Sequence, residues 1–150
     1  MESEQFKEII EFARDKEREA VDFYMRCSEL SMRSGMKKAF LEMADEEKKH
    51  VQLLENIQPE YIEKAKLKKI PNLKISDYLA DGLFSADMSY QDLLISAMKR
   101  EEKSYALYTA LAVGKEEPKI QKLFQILAQE ELKHKNRLEK EYDDVILMWN

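Results

Sequence analysis

Cysteine occurs once, at position 27, so the chain holds no internal disulfide and no C-x-x-C pair for a structural zinc or rubredoxin-type iron site. Proline and glycine are as scarce, three of each in 150 residues, which argues for long helices over many short strands. Long apolar runs are missing too. The longest, Val145 to Trp149, is five residues, against the about 18 needed to cross a bilayer. The opening Met1-Glu2-Ser3-Glu4-Gln5 lacks the basic and apolar regions of a signal peptide. The expectation is a soluble, cytoplasmic protein with no membrane partner. A formal net charge of -5 carries no general attraction to nucleic acid. The one basic stretch, Lys64, Lys66, Lys68, Lys69 and Lys74, reads as a solvated surface.

What is present is apolar periodicity. At 44% hydrophobic and 37% charged residues, a chain of this length suits a single domain, 1–150, with a real core. Phe6, Ile9, Ile10, Ala13, Ala20, Val21 and Tyr24 recur with a helical period, as do Met36, Phe40, Met43, Ala44, Val51, Leu54 and Ile57. A second pair follows, through Leu93, Leu94, Ala97, Tyr105, Tyr108 and Leu111, then Ile120, Phe124, Leu127, Ala128, Leu138 and Tyr142. Ser3 is a candidate N-cap, Ser34-Gly35 a break before the second helix, and Pro59 a stop after it. Ser89, with Asp92 three residues on, approximates a capping box. The third helix should end near Gly114, and Pro118 suits the first turn of the fourth. The predicted helices span roughly 3–31, 35–57, 89–113 and 117–146. The crossover, 58–88, contains a short helix over Ile75 to Phe84. The architecture is all-α: two antiparallel helical hairpins joined by one long crossover.

The chain also carries one pattern twice, 84 residues apart. Ala13, Glu17 and Tyr24 recur as Ala97, Glu101 and Tyr108; Phe40, Ala44, Glu47 and His50 recur as Phe124, Ala128, Glu131 and His134. Glu17 and Glu101 lie on apolar stripes and should point inward with them. Glu and His at i, i+3 stand one above the other, so each Glu-x-x-His pair can reach one ion. Four inward carboxylates cost several kcal/mol each in lost hydration unless protonated or neutralised. Two divalent cations bring +4 against -4, with the histidines neutral. Four Glu and two His are the set with which a helical bundle holds two metal ions. Carboxylates with some imidazole and no thiolate favour iron or manganese, with zinc a lesser fit. Tyr24 and Tyr108, two turns beyond Glu17 and Glu101, are placed to orient those carboxylates by hydrogen bonds or simply to pack.

These stretches, Glu17 to Tyr24, Phe40 to His50, Glu101 to Tyr108 and Phe124 to His134, resemble the rubrerythrin-like members of the ferritin superfamily. The resemblance implies a ferritin-like four-helix bundle around a non-haem di-iron site that reacts with hydrogen peroxide or dioxygen. By motif position it implies that Glu47 and Glu131 bridge the metals as the catalytic ligands. Glu17 and His50 would then terminate one ion, and Glu101 and His134 the other. Without a rubredoxin-type cysteine pair, electrons are expected from a separate donor protein. Where the family has a further Glu one turn past the lone Glu of helix three, this chain has Ser104. The centre therefore looks like the symmetrical six-ligand kind found in ferritin-like oxidases. A homodimer is expected by the same resemblance.

The functional expectation is an oxidoreductase reducing peroxide or dioxygen at two irons. The rivals are ferroxidation or hydroxylation of a small substrate, iron binding or storage without turnover, and a metal-free structural bundle.

Overall fold

A computed structural model describes residues 2–31, 34–57, 88–113 and 118–145, with side chains of the first helix from Phe6 onward. Four helices result: α1 (Glu2–Leu30), α2 (Ser34–Glu55), α3 (Tyr90–Ala112) and α4 (Pro118–Val145). Among the described residues there is no strand, so the all-α class stands. No described helix is long and apolar enough to cross a membrane. The crossover, its expected short helix, the lysine stretch, Pro59, Gly114 and the end beyond Val145 lie outside the described residues.

The chain divides into two compact units, one holding α1 and α2, the other α3 and α4. In the first, α1 buries Phe6, Ile9, Ile10, Ala13, Phe23, Tyr24 and Cys27. These meet Met36, Ala39, Phe40, Met43, Ala44 and Leu54 of α2. Each large side chain so buried contributes about 1.5–3 kcal/mol. The helices run antiparallel, because Glu17 meets His50 while Tyr24, further along α1, meets the earlier Phe40. Helix α1 ends as the Ser31 amide donates to Cys27 O at 3.0 Å.

The second hairpin has the same plan. Leu93, Leu94, Ala97, Leu107, Tyr108, Leu111 and Ala112 of α3 are buried, with Ile120, Phe124, Leu127, Ala128, Leu138 and Val145 of α4. Its helices are also antiparallel: Tyr108 meets Phe124, and Tyr90 donates to Glu141 at 3.0 Å. The expected cap is present, Ser89 Oγ accepting from the Asp92 amide at 3.0 Å. At its other end, the Val113 amide bonds the Ala110 carbonyl, a tightened last turn.

Two start signals shift by a residue or more. Ser3 lies inside the first turn of α1, and α2 already begins at Ser34, so Ser34-Gly35 opens that helix instead of preceding it. A side chain at Gly35 would meet nothing within 4 Å, so no crowding demands glycine there. The core is also narrower than the periodicity suggests. Ala20, Val21, Val51, Tyr105 and Tyr142 are only half-buried.

Candidate metal centre

Each hairpin turns one carboxylate from its first helix and a Glu-x-x-His pair from its second into its interior. Glu17 follows Ala13 by one turn and precedes Tyr24 by two, on the stripe that faces α2. Glu47 and His50 follow Phe40, Met43 and Ala44 down the buried face of α2. Glu101, Glu131 and His134 repeat this on α3 and α4. Their exposures are 2% for Glu17, 1% for Glu47, 1% for His50, 2% for Glu101, 1% for Glu131 and 4% for His134. Among the described residues no other Asp, Glu, Lys, Arg or His is buried. Burial of charge is therefore confined to the six residues that the repeat singles out.

The separations within each triad are close to those of donors that could share one ion. In the first hairpin His50 Nδ1 stands 3.4 Å from Glu17 Oε2 and 3.6 Å from Glu47 Oε1. In the second, His134 Nδ1 stands 3.4 Å from Glu101 Oε1. One ligand atom each of Glu17, Glu47 and His50 lies within 4.8 Å of the others, and the same holds for Glu101, Glu131 and His134. Good N–H···O hydrogen bonds span about 2.7–3.2 Å, shorter than these separations. Two donors each ~2.1 Å from one ion, between a right and a tetrahedral angle, stand ~3.0–3.4 Å apart. The shortest separation in each hairpin sits at that upper edge. Charge agrees as well, since one divalent cation balances the two carboxylates of each hairpin, leaving the imidazole neutral. The residues present fit a hard or borderline divalent ion such as iron or manganese.

Tyr24 and Tyr108 are buried beside these triads. Their rings stack on Phe40 and Phe124 with the same geometry, centroids 6.0 Å apart and planes 19° from parallel. Tyr24 also meets Phe23 edge-on at 5.6 Å. Such pairs contribute about 0.5–1.5 kcal/mol beyond area burial. The stacking joins the two helices of each hairpin two turns from Glu17 and Glu101.

Sequence reading missed the ion bridge that spans the surface of each hairpin. Arg18, next to Glu17, pairs with Glu55 across α1 and α2 and reaches Asp15 at 3.7 Å. Eighty-four residues on, Arg18 becomes Glu102 while Glu55 becomes Glu139, two acids where an ion pair stood. Lys135, in the position of Val51, resolves the repulsion by standing 3.6 Å from Glu102 and 3.2 Å from Glu139. The Glu139 hydrogen bond, more than the opposing desolvation and aided by the charges of Glu139 and Glu102, raises the Lys135 pKa. The signal was present as paired changes at 18/102 and 51/135, visible only when the halves are superposed.

A family model described as Rubrerythrin matches residues 8–142, nearly the whole chain, a span that contains all six buried candidates. Neither the curated proteins nor the solved structures compared with the chain gave a match.

Proposed function

The chain belongs to the rubrerythrin family, with its ferritin-like all-α class, and on that premise we propose a non-haem di-iron oxidoreductase that reduces hydrogen peroxide or dioxygen. One observation carries the proposal: both hairpins bury the same Glu, Glu, His triad at the same spacing. Three protein ligands leave an iron or manganese ion well short of the six positions it prefers. Glu47 and Glu131, if shared between two ions, would supply each with one more donor, so the two triads would together hold a dinuclear centre. In this assignment Glu17 and His50 would hold one ion and Glu101 and His134 the other. Iron suits the reading because it changes oxidation state, as zinc does not.

When bound, the two ions supply redox chemistry and Lewis acidity. The protein's part is to fix the ligands, exclude water and keep the centre neutral. The stacked Tyr24–Phe40 and Tyr108–Phe124 pairs join the helices that carry those ligands. Reduction of one peroxide consumes two electrons and two protons and releases two waters. Bound irons would supply the two electrons, and an external donor protein would restore them.

The test is peroxide consumption by reduced, iron-loaded protein. The expected result is one peroxide consumed per reduced chain, sustained when a reduced donor is supplied and lost in Glu131→Ala. Consumption undiminished in that variant, or no reaction with either peroxide or dioxygen, overturns the proposal.

A further inference from the structure

The first hairpin carries an open groove of ≈ 480 Å³ along the seam between α1 and α2. Arg18, Asp22, Lys48 and Glu55 line its sides and are exposed, whereas Val21 and Val51, also lining it, are half-buried and form its floor. Val21 follows Glu17 by one helical turn. Val51 follows Glu47 by one turn and His50 by one residue. Side chains a turn apart are neighbours on a helix surface. The two valines are thus the groove residues that neighbour the buried Glu17, Glu47 and His50 along the helices.

Its chemistry indicates what the groove admits. Two cations, Arg18 and Lys48, face two anions, Asp22 and Glu55, so the lining has no net charge. A route for metal cations calls for a net negative lining, and one for anions a net positive lining. This one discriminates against neither sign and ends on two branched apolar side chains. Resting on the oxidoreductase reading above, we propose that the groove is the route by which a small uncharged oxidant reaches the centre, with Val21 and Val51 setting the size limit. Rotamer changes at part-exposed side chains take picoseconds to nanoseconds, so such a floor opens without moving the helices.

The second hairpin differs at these same positions. Tyr105 stands in place of Val21, Lys135 in place of Val51, and Leu132 in place of Lys48. Lys135 is also engaged by Glu102 and Glu139. The second hairpin therefore has no matching pair of valines, and the oxidant is expected to enter through the first hairpin, beside its Arg18–Glu55 pair.

The experiment measures the second-order rate constant for oxidation of reduced, iron-loaded protein by hydrogen peroxide. Ferrous uptake by metal-free protein is followed in parallel. Val51→Phe should lower the peroxide rate constant about tenfold by filling the floor, with iron per chain and the rate of ferrous uptake unchanged. Tyr105→Trp, the matching enlargement in the second hairpin, should leave the peroxide rate constant within about twofold. A Val51→Phe rate within that margin overturns the proposal, as does equal slowing by Tyr105→Trp. Slowing of ferrous uptake to match assigns the groove to the metal and also overturns it. Should Val51→Phe lose its iron, Val51→Ala decides. Widening the floor should raise the rate with tert-butyl hydroperoxide relative to hydrogen peroxide about fivefold. An unchanged ratio contradicts the size limit. If wild-type protein reacts normally while these variants do too, only the route fails. If wild-type protein shows no oxidation at all, the proposed function fails and takes the route with it.

Discussion

The two hairpins agree at their centres and disagree at their surfaces. Inside, His50 to Glu17 and His134 to Glu101 are both 3.4 Å, and the tyrosine–phenylalanine stacks coincide in distance and angle. Outside, an Arg18–Glu55 pair in one hairpin answers to a Glu102–Lys135–Glu139 bridge in the other. Energetics explains where the halves could diverge. Exposed ion pairs are worth about 0–1 kcal/mol, so one arrangement replaces another at small cost. A buried carboxylate without its counter-ion costs several kcal/mol, so its identity and position are fixed together with the partner that neutralises it. The far ends follow the same logic. Buried Phe6 in α1 corresponds to Tyr90 in α3, whose hydroxyl is tied to Glu141, with Gln91 donating to Tyr142 at 3.2 Å.

If the inner equivalence is functional, Glu47→Ala and Glu131→Ala should each abolish the paired site. Metal content should fall from about two ions per chain to one or fewer in both. Retention of two ions by either variant breaks the equivalence and the ligand assignment. Because the lost carboxylate was a buried charge, the metal-free variants should be no less stable than metal-free wild type. Thermal unfolding with and without chelator checks this. Truncating the stacks comes next in size: Phe40→Ala and Phe124→Ala should each cost about 3–5 kcal/mol in denaturant unfolding. A large difference between them shows that one hairpin carries more of the stability than the other.

Smaller effects sharpen the comparison. Ferrous ion at one hundred times its dissociation constant should stabilise the protein by about 2.7 kcal/mol, and a melting temperature indifferent to metal contradicts a preformed site. His50→Ala and His134→Ala should weaken metal affinity by comparable factors, on the order of ten- to a hundredfold. Titration of each apo variant reads the factor directly. Smallest of all, Arg18→Glu should cost no more than about 1 kcal/mol, and adding Val51→Lys should recover it by rebuilding the other hairpin's bridge. A double-mutant cycle at low and high salt measures that recovery, which should shrink as salt rises.

The burial of Glu17, Glu47, Glu101 and Glu131 was legible in the sequence because helical periodicity places them among apolar neighbours. The Ser89 cap was legible for a similar reason, since a hydroxyl three residues ahead of a free amide has one obvious use. Stripe width was not. Period alone gives Val21, Val51 and Tyr105 the same standing as Tyr24 and Leu54, yet the former are half-exposed and line or border the seam between helices. The start of α2 was misjudged because glycine is tolerated in an open first turn as readily as before it. The ion bridges left no local signature, for Arg18 and Glu55 are 37 residues apart and exposed charges recur throughout these helices.

Metal content of protein prepared and purified without oxygen, determined by elemental analysis, tests the central claim most directly. Charge balance by one divalent ion per triad predicts about two ions per chain, falling to one or fewer when Glu47 or Glu131 is removed. A wild-type protein that stays folded, binds no metal when iron is supplied, and keeps its four buried carboxylates would contradict it.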